Sequence, residues 1–115
     1  MLYLASPYSH EDALIMKTRF LLAEQVTAFL MQKGEHVYSP IVHCHEIAQK
    51  YVMPTDFDYW RSYNFSMIRR CDAFAILTID GWDRSKGVTG EGDFARECGL
   101  PFAHVDEMGV IRWQK

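Results

Sequence analysis

The sequence predicts an α/β fold, a three-layer sandwich built on a parallel sheet of four to five strands. Three observations predict it. Short apolar runs alternate along the chain with longer segments whose apolar residues recur at helical spacing, the pattern of strand–helix–strand units. The run Ala73-Phe74-Ala75-Ile76-Leu77-Thr78-Ile79 is almost continuously apolar, as a strand covered on both faces must be. Gly34 and Gly99 stand where two of the helical segments have to stop.

Residues 2–5 are the first apolar strand, followed by the turn Ser6-Pro7-Tyr8-Ser9. Ser9, with Asp12 three residues later, resembles a helix N-cap, and the expected helix runs over residues 10–33. Leu14, Met16, Phe20, Leu21, Leu22, Val26, Phe29 and Leu30 supply its apolar stripe. Residues 36–39 read as a second strand ended by Pro40. Residues 41–54 are the least regular stretch, with a short helix expected over 46–50. Thr55 or Asp56 caps a helix to Arg70, and the buried strand 73–79 follows. Residues 80–88 read as a glycine-containing turn, with a helix from about Thr89 to Cys98. Residues 101–105 form a fourth strand and 109–113 a fifth, short edge strand.

At 115 residues the chain suits one domain, 1–115, with a single core. Hydrophobic residues make up 49% and charged residues 23%, a globular balance. The net charge of -3 argues against nucleic acid as the main partner, since phosphate-backbone binders are usually basic. Three cysteines without a CxxC pair, and no signal-like start, point to reduced thiols and a cytoplasmic setting. No apolar run approaches membrane-spanning length, so no membrane partner is expected.

Parallel sheets with right-handed crossovers bind ligands beyond the carboxyl ends of their strands. Residues 5–9, 39–45 and 80–91 all end there, and they hold the side chains with useful chemistry. Gly87 and Gly90 allow close backbone approach, and the helix start aims N–H groups outward, so Ser85 suits one terminal phosphate. The plainer reading of Ser85 is a helix cap. Glu91 is either a solvated first-turn acid or a nucleophile of the glycosidase kind. Tyr3 and Tyr8 flank the first strand end, and a tyrosine there can orient a carboxylate or stack on a base. His43 and His45 point the same way if their segment is extended. Two ligands do not make a zinc site, and pocket or phosphate contacts suit them better. Trp60, Asn64 and Met67 share one helix face, and Asn64 can bond a sugar or a base.

Nearly the whole chain resembles the nucleoside 2-deoxyribosyltransferase superfamily, most closely its short bacterial and phage branch. The resemblance rests on Tyr3-Leu4-Ala5-Ser6-Pro7-Tyr8-Ser9-His10, Ser39-Pro40 with His43 and His45, Trp60 with Asn64, and Cys71-Asp72. Its most specific part is Gly81-Trp82-x2-Ser85-x-Gly87-Val88-x2-Glu91-x3-Ala95. It implies a flavodoxin-like, Rossmann-like sheet and a glutamate nucleophile at Glu91, held by Tyr3. Tyr8 would be the aromatic wall of a base pocket that Ser6 and Pro7 help to form. Ser85, with Gly87 and Val88, would hold a 5′-phosphate, and relatives complete their pockets as homodimers or larger homo-oligomers. The chain departs from the family at Asn64, where relatives carry an aspartate that protonates the base.

The expected function is N-glycosidic cleavage, by hydrolysis or base transfer, of a (deoxy)nucleoside 5′-monophosphate, with no metal or organic cofactor. The alternative is a nucleotide-binding module without turnover, which Asn64 favours. A third reading is a metal-dependent hydrolase using His43 and His45.

Overall fold

The computed structural model describes residues 1–115. Five strands, β1 (Leu2–Ala5), β2 (Val37–Tyr38), β3 (Ala73–Leu77), β4 (Phe102–Val105) and β5 (Ile111–Trp113), form one sheet in the order β2-β1-β3-β4-β5. Four α-helices accompany them: α1 (Ala13–Gln32), α2 (Pro40–Lys50), α3 (Phe57–Arg69) and α4 (Lys86–Glu97). The first four strands pair in parallel, and β5 returns antiparallel beside β4. This is the α/β sandwich expected from the sequence, except that its last strand is reversed.

Strand alternation divides the core between the two faces of the sheet. Leu2, Leu4, Ala75 and Leu77 pack on one side with Ala23, Val26 and Leu30 of α1. Tyr3, Ala5, Phe74 and Ile76 point to the other side, toward Ile68 of α3 and Val88 and Ala95 of α4. Tyr3 is therefore committed to the α3–α4 layer by its place in β1. Phe65 and Phe94 stack at 4.1 Å between ring centres and lock α3 against α4.

Four local expectations need correction. Helix α1 starts at Ala13, because Asp12 itself is the cap and accepts from the Leu14 N–H; Ser9 instead donates to the Thr55 carbonyl. Residues 40–50 form a full helix, with Ser39 capping the Val42 N–H and Pro40 in the first turn, where its missing N–H costs nothing. Because His43 and His45 lie on a helix, two residues apart, they do not share a face. Helix α4 starts at Lys86 rather than Thr89, so Gly87, Val88 and Gly90 are helical. Finally, β4 and β5 form a hairpin closed by Asp106, whose side chain accepts from the Met108 and Val110 N–H groups, with Gly109 at φ 78°.

Strands β1 and β3 are neighbours whose connections leave toward opposite sides, α1 to one face and α4 to the other. That is the switch point at which open α/β sheets hold their ligands.

Candidate functional site

A cleft of about 500 Å³ opens at this switch point. It is large enough for a nucleotide-sized molecule. Its walls come from the β1–α1 loop, α1, α2, α3, the β3–α4 loop and the first turns of α4.

Glu91 lies in the cleft wall and is only 4% exposed. The corrected start of α4 explains why. Counting from Lys86, Glu91 falls in the second helical turn, in phase with Val88 and Ala95, both of which pack into the core. The sheet-facing stripe thus carries a carboxyl group inward, and the solvated first-turn acid is excluded.

Two elements converge on one of its oxygens. The Tyr3 hydroxyl, from β1, donates to Oε2 at 2.9 Å. The Asn64 amide, from α3, donates to the same oxygen at 2.9 Å. Oε1 has no protein hydrogen bond. Burial pushes the Glu91 carboxyl up to about 7, against the opposing pull of the bonds from Tyr3 and Asn64. Burial, together with the charge of Glu91 and its hydrogen bond, holds the Tyr3 hydroxyl well above its ordinary value. Tyr3 therefore stays a donor while Glu91 ionises near neutrality.

A second polar pair lies on the same cleft wall. Tyr8 bonds His45 Nδ1 at 2.5 Å, and His45 stacks on Phe20 at 4.3 Å between centres. Burial lowers the His45 proton affinity, which favours the neutral imidazole, and the tautomer of that ring sets which partner of the Tyr8–His45 bond donates.

The remaining residues singled out from the sequence divide between cleft and core. Ser6 and Asn64 line the cleft and are buried, and Ser6 Oγ and Asn64 Oδ1 have no partner. Ser85 lines it too, and its hydroxyl oxygen caps α4 by accepting from the Val88 N–H at 3.1 Å. The cap leaves the hydroxyl proton free. Gly87 is on the cleft wall, whereas Val88 is core and its N–H is taken by Ser85. Helix geometry leaves the Lys86 and Gly87 N–H groups without intrahelical acceptors. Pro7 is fully buried and off the cleft wall. His43 lies outside the cleft on the exposed face of α2, bonded through Nε2 to the Tyr63 hydroxyl at 3.0 Å. No group of three or more His, Cys, Asp or Glu side chains gathers as metal ligands would.

Sequence reasoning missed Arg19, which reaches the cleft from α1. On a helical wheel it passes for an exposed polar position. The signal available was Gly81, a residue at φ 94° that places its backbone where the arginine packs.

The sequence matches, over residues 1–111, the family described as a domain of unknown function, DUF1937. The chain belongs to this family. A search of curated proteins finds no match. No helix of the domain is long and apolar enough to cross a membrane.

Proposed function

We propose that this cleft cleaves the N-glycosidic bond of a (deoxy)nucleoside 5′-monophosphate. The observation that carries the reading is the state of Glu91. It is a buried carboxylate held by two donors on one oxygen, with the other oxygen unengaged beside an open cleft. A structural carboxylate at this depth would be paired with a cation, because burying an unpaired charge costs several kcal/mol. Glu91 has no cation, and instead its proton affinity rises into the range used for chemistry at neutral pH.

In the proposed reaction Oε1 attacks C1′ through an oxocarbenium-like transition state. The C1′–N bond breaks, and its electron pair leaves with the base, which takes up a proton. Water then adds at C1′ and releases the carboxylate, giving hydrolysis; a second base at that step gives transfer. Tyr3 and Asn64 fix the rotamer of Glu91 and stabilise its ionised form. Asn64 has no acidic proton, so the proton for the base comes from another group on the wall, with the Tyr8–His45 pair and Asp56 in position on the cleft surface. Ser85 and the free N–H groups of Lys86 and Gly87 suit the phosphate. The resemblance to the nucleoside 2-deoxyribosyltransferases supports the same assignments.

A homodimer or larger homo-oligomer is part of this reading. It is supported by Ile47 of α2, Tyr51 just after that helix, and Tyr59 and Tyr63 of α3, which stand exposed. A cytoplasmic location fits three unpaired cysteines. The second reading, a nucleotide-binding module without turnover, is favoured by Asn64, which removes an acid from the place where relatives carry one.

The test is incubation with a panel of ribo- and deoxyribonucleoside monophosphates, following free base. Wild type is expected to release base from at least one, and Glu91→Ala to lose on the order of 10³-fold or more in rate. Release that persists in the variant removes Glu91 from the mechanism. Tight binding without release from any monophosphate decides for the binding module.

A further inference from the structure

The charges on the cleft wall nearly all have partners. Lys86 pairs with Asp58 at 3.0 Å, and Arg84 lies 3.7 Å from both Asp80 and Asp83. Asp56 caps α3 by accepting from the Tyr59 N–H, where the positive end of the helix dipole offsets its charge. Glu91 and Arg19 are the exceptions. Arg19 is half-buried, lines the cleft, and belongs to no ion pair.

Its position is built rather than incidental. Nη1 donates to the carbonyls of Tyr8, at 3.3 Å, and Ser9, at 3.1 Å, which fixes the guanidinium against the β1–α1 loop. Nη2 lies over Gly81, so close that a Cβ there would stand 2.4 Å away. Gly81 opens the short 3-10 turn Trp82–Arg84, which leads directly to Ser85 at the start of α4. Nη2 and Nε make no hydrogen bond. A half-buried guanidinium with spare donors and no ion-pair partner within reach is open to an anionic ligand, and its geometry suits a planar or tetrahedral oxyanion.

We infer that Arg19 selects a phosphomonoester: its free Nη2 and Nε donors take the ligand's phosphoryl oxygens, opposite the Ser85 hydroxyl and the first N–H groups of α4. This assignment rests on the nucleotide reading of the cleft and adds its specificity determinant. A dianionic phosphate has three oxygens for these donors, more than a carboxylate offers, and its charge supplies what Arg19 lacks. Tyr8 and Ser9 backbone contacts make Arg19 a link between the phosphate and the loop that carries Tyr8 into the cleft.

The experiment measures binding, so it is independent of whether Glu91 performs chemistry. Dissociation constants are compared for a nucleoside monophosphate, the matching nucleoside and inorganic phosphate, with wild type, Arg19→Met and Arg19→Lys. Circular dichroism checks the fold. Arg19→Met is expected to weaken monophosphate binding by about 10- to 100-fold, as the loss of a charge-assisted contact does, and to leave the nucleoside within a factor of about two. Inorganic phosphate competes in wild type and not in Arg19→Met. If Arg19→Met does not fold, Arg19→Lys decides, with a severalfold loss confined to the phosphorylated ligand. Equal losses for nucleoside and nucleotide would make Arg19 a structural clamp on the Tyr8 loop and overturn the inference. So would an unchanged monophosphate affinity, or failure of wild type to bind any phosphate-bearing probe. Base release lost in Glu91→Ala together with unaltered discrimination in Arg19→Met would sink this assignment alone.

Discussion

Glu91→Gln is expected to be more stable than wild type at pH 8, by on the order of 3 kcal/mol. The carboxyl ordinarily titrates near 4.5 and is pushed up to about 7 by burial. Each tenfold change in proton affinity is worth ~1.4 kcal/mol. Between those two values the folded protein keeps a proton that the unfolded chain has released, so unfolding free energy falls as pH rises. The favourable contribution of the protonated group is complete below pH 4.5 and is lost as pH rises through 7. Glutamine is neutral throughout and still offers an oxygen to Tyr3 and Asn64. Denaturant unfolding at pH 5 and pH 8 should show the variant and wild type close together at the lower pH and well apart at the higher. Equal stability at both would mean that ionising Glu91 is not costly, and the account of a carboxylate destabilised by burial would fail.

Tyr3→Phe should show the converse effect. The phenyl ring keeps the stack on Phe74, 5.5 Å between centres, and loses only the hydroxyl. The ionised Glu91 is then left with Asn64 as its one donor. A hydrogen bond to a charged group contributes about 1.5–3 kcal/mol, so a loss of that size is expected at pH 8 and a smaller one below pH 4.5, where Glu91 is neutral. The Glu91 proton affinity rises further, and the pH at which base release reaches half its maximum moves upward with it. A pH–rate profile checks the shift. A profile that falls in amplitude but keeps its midpoint would show that Tyr3 does not set the ionisation of Glu91.

Much of this architecture was legible because burial leaves a periodic trace. The strands over Leu2–Ala5 and Ala73–Leu77 show as apolar runs, and α3 shows through its Asp56 cap. What misled was competition between local signals of similar strength. Ser9 and Asp12 both look like caps, and only the tertiary contact of Ser9 with Thr55 separates them. Ser39-Pro40 reads equally as a strand end and as the cap and first residue of a helix, and α2 takes the second option. Gly87 and Gly90 suggest a turn, yet α4 passes through both, with Phe57 packed where a side chain at position 90 would stand. That last error mattered most, since the earlier start moves Glu91 out of the solvated first turn and into the second, one turn after the buried Val88. The reversal of β5 depends on the Asp106–Val110 turn, whose hydrogen bonds are not visible in hydropathy.

Tyr3, Asn64 and Glu91 were each identifiable as candidates. Their convergence on one oxygen was not, because it joins positions 88 and 27 residues apart through packing of α3 and α4 on the sheet. Arg19 escaped notice for a related reason. Its role is defined by the charges that others neutralise around it, and pairing across a cleft has no sequence period.

The most direct measurement is intact-protein mass spectrometry of the wild type quenched during turnover of a monophosphate that it cleaves, with peptide mapping of any adduct. The account predicts a mass increase equal to one sugar phosphate less one water, carried by the peptide containing Glu91 and absent from Glu91→Gln. Base released at full rate with no adduct, or an adduct mapped to another residue, would contradict it.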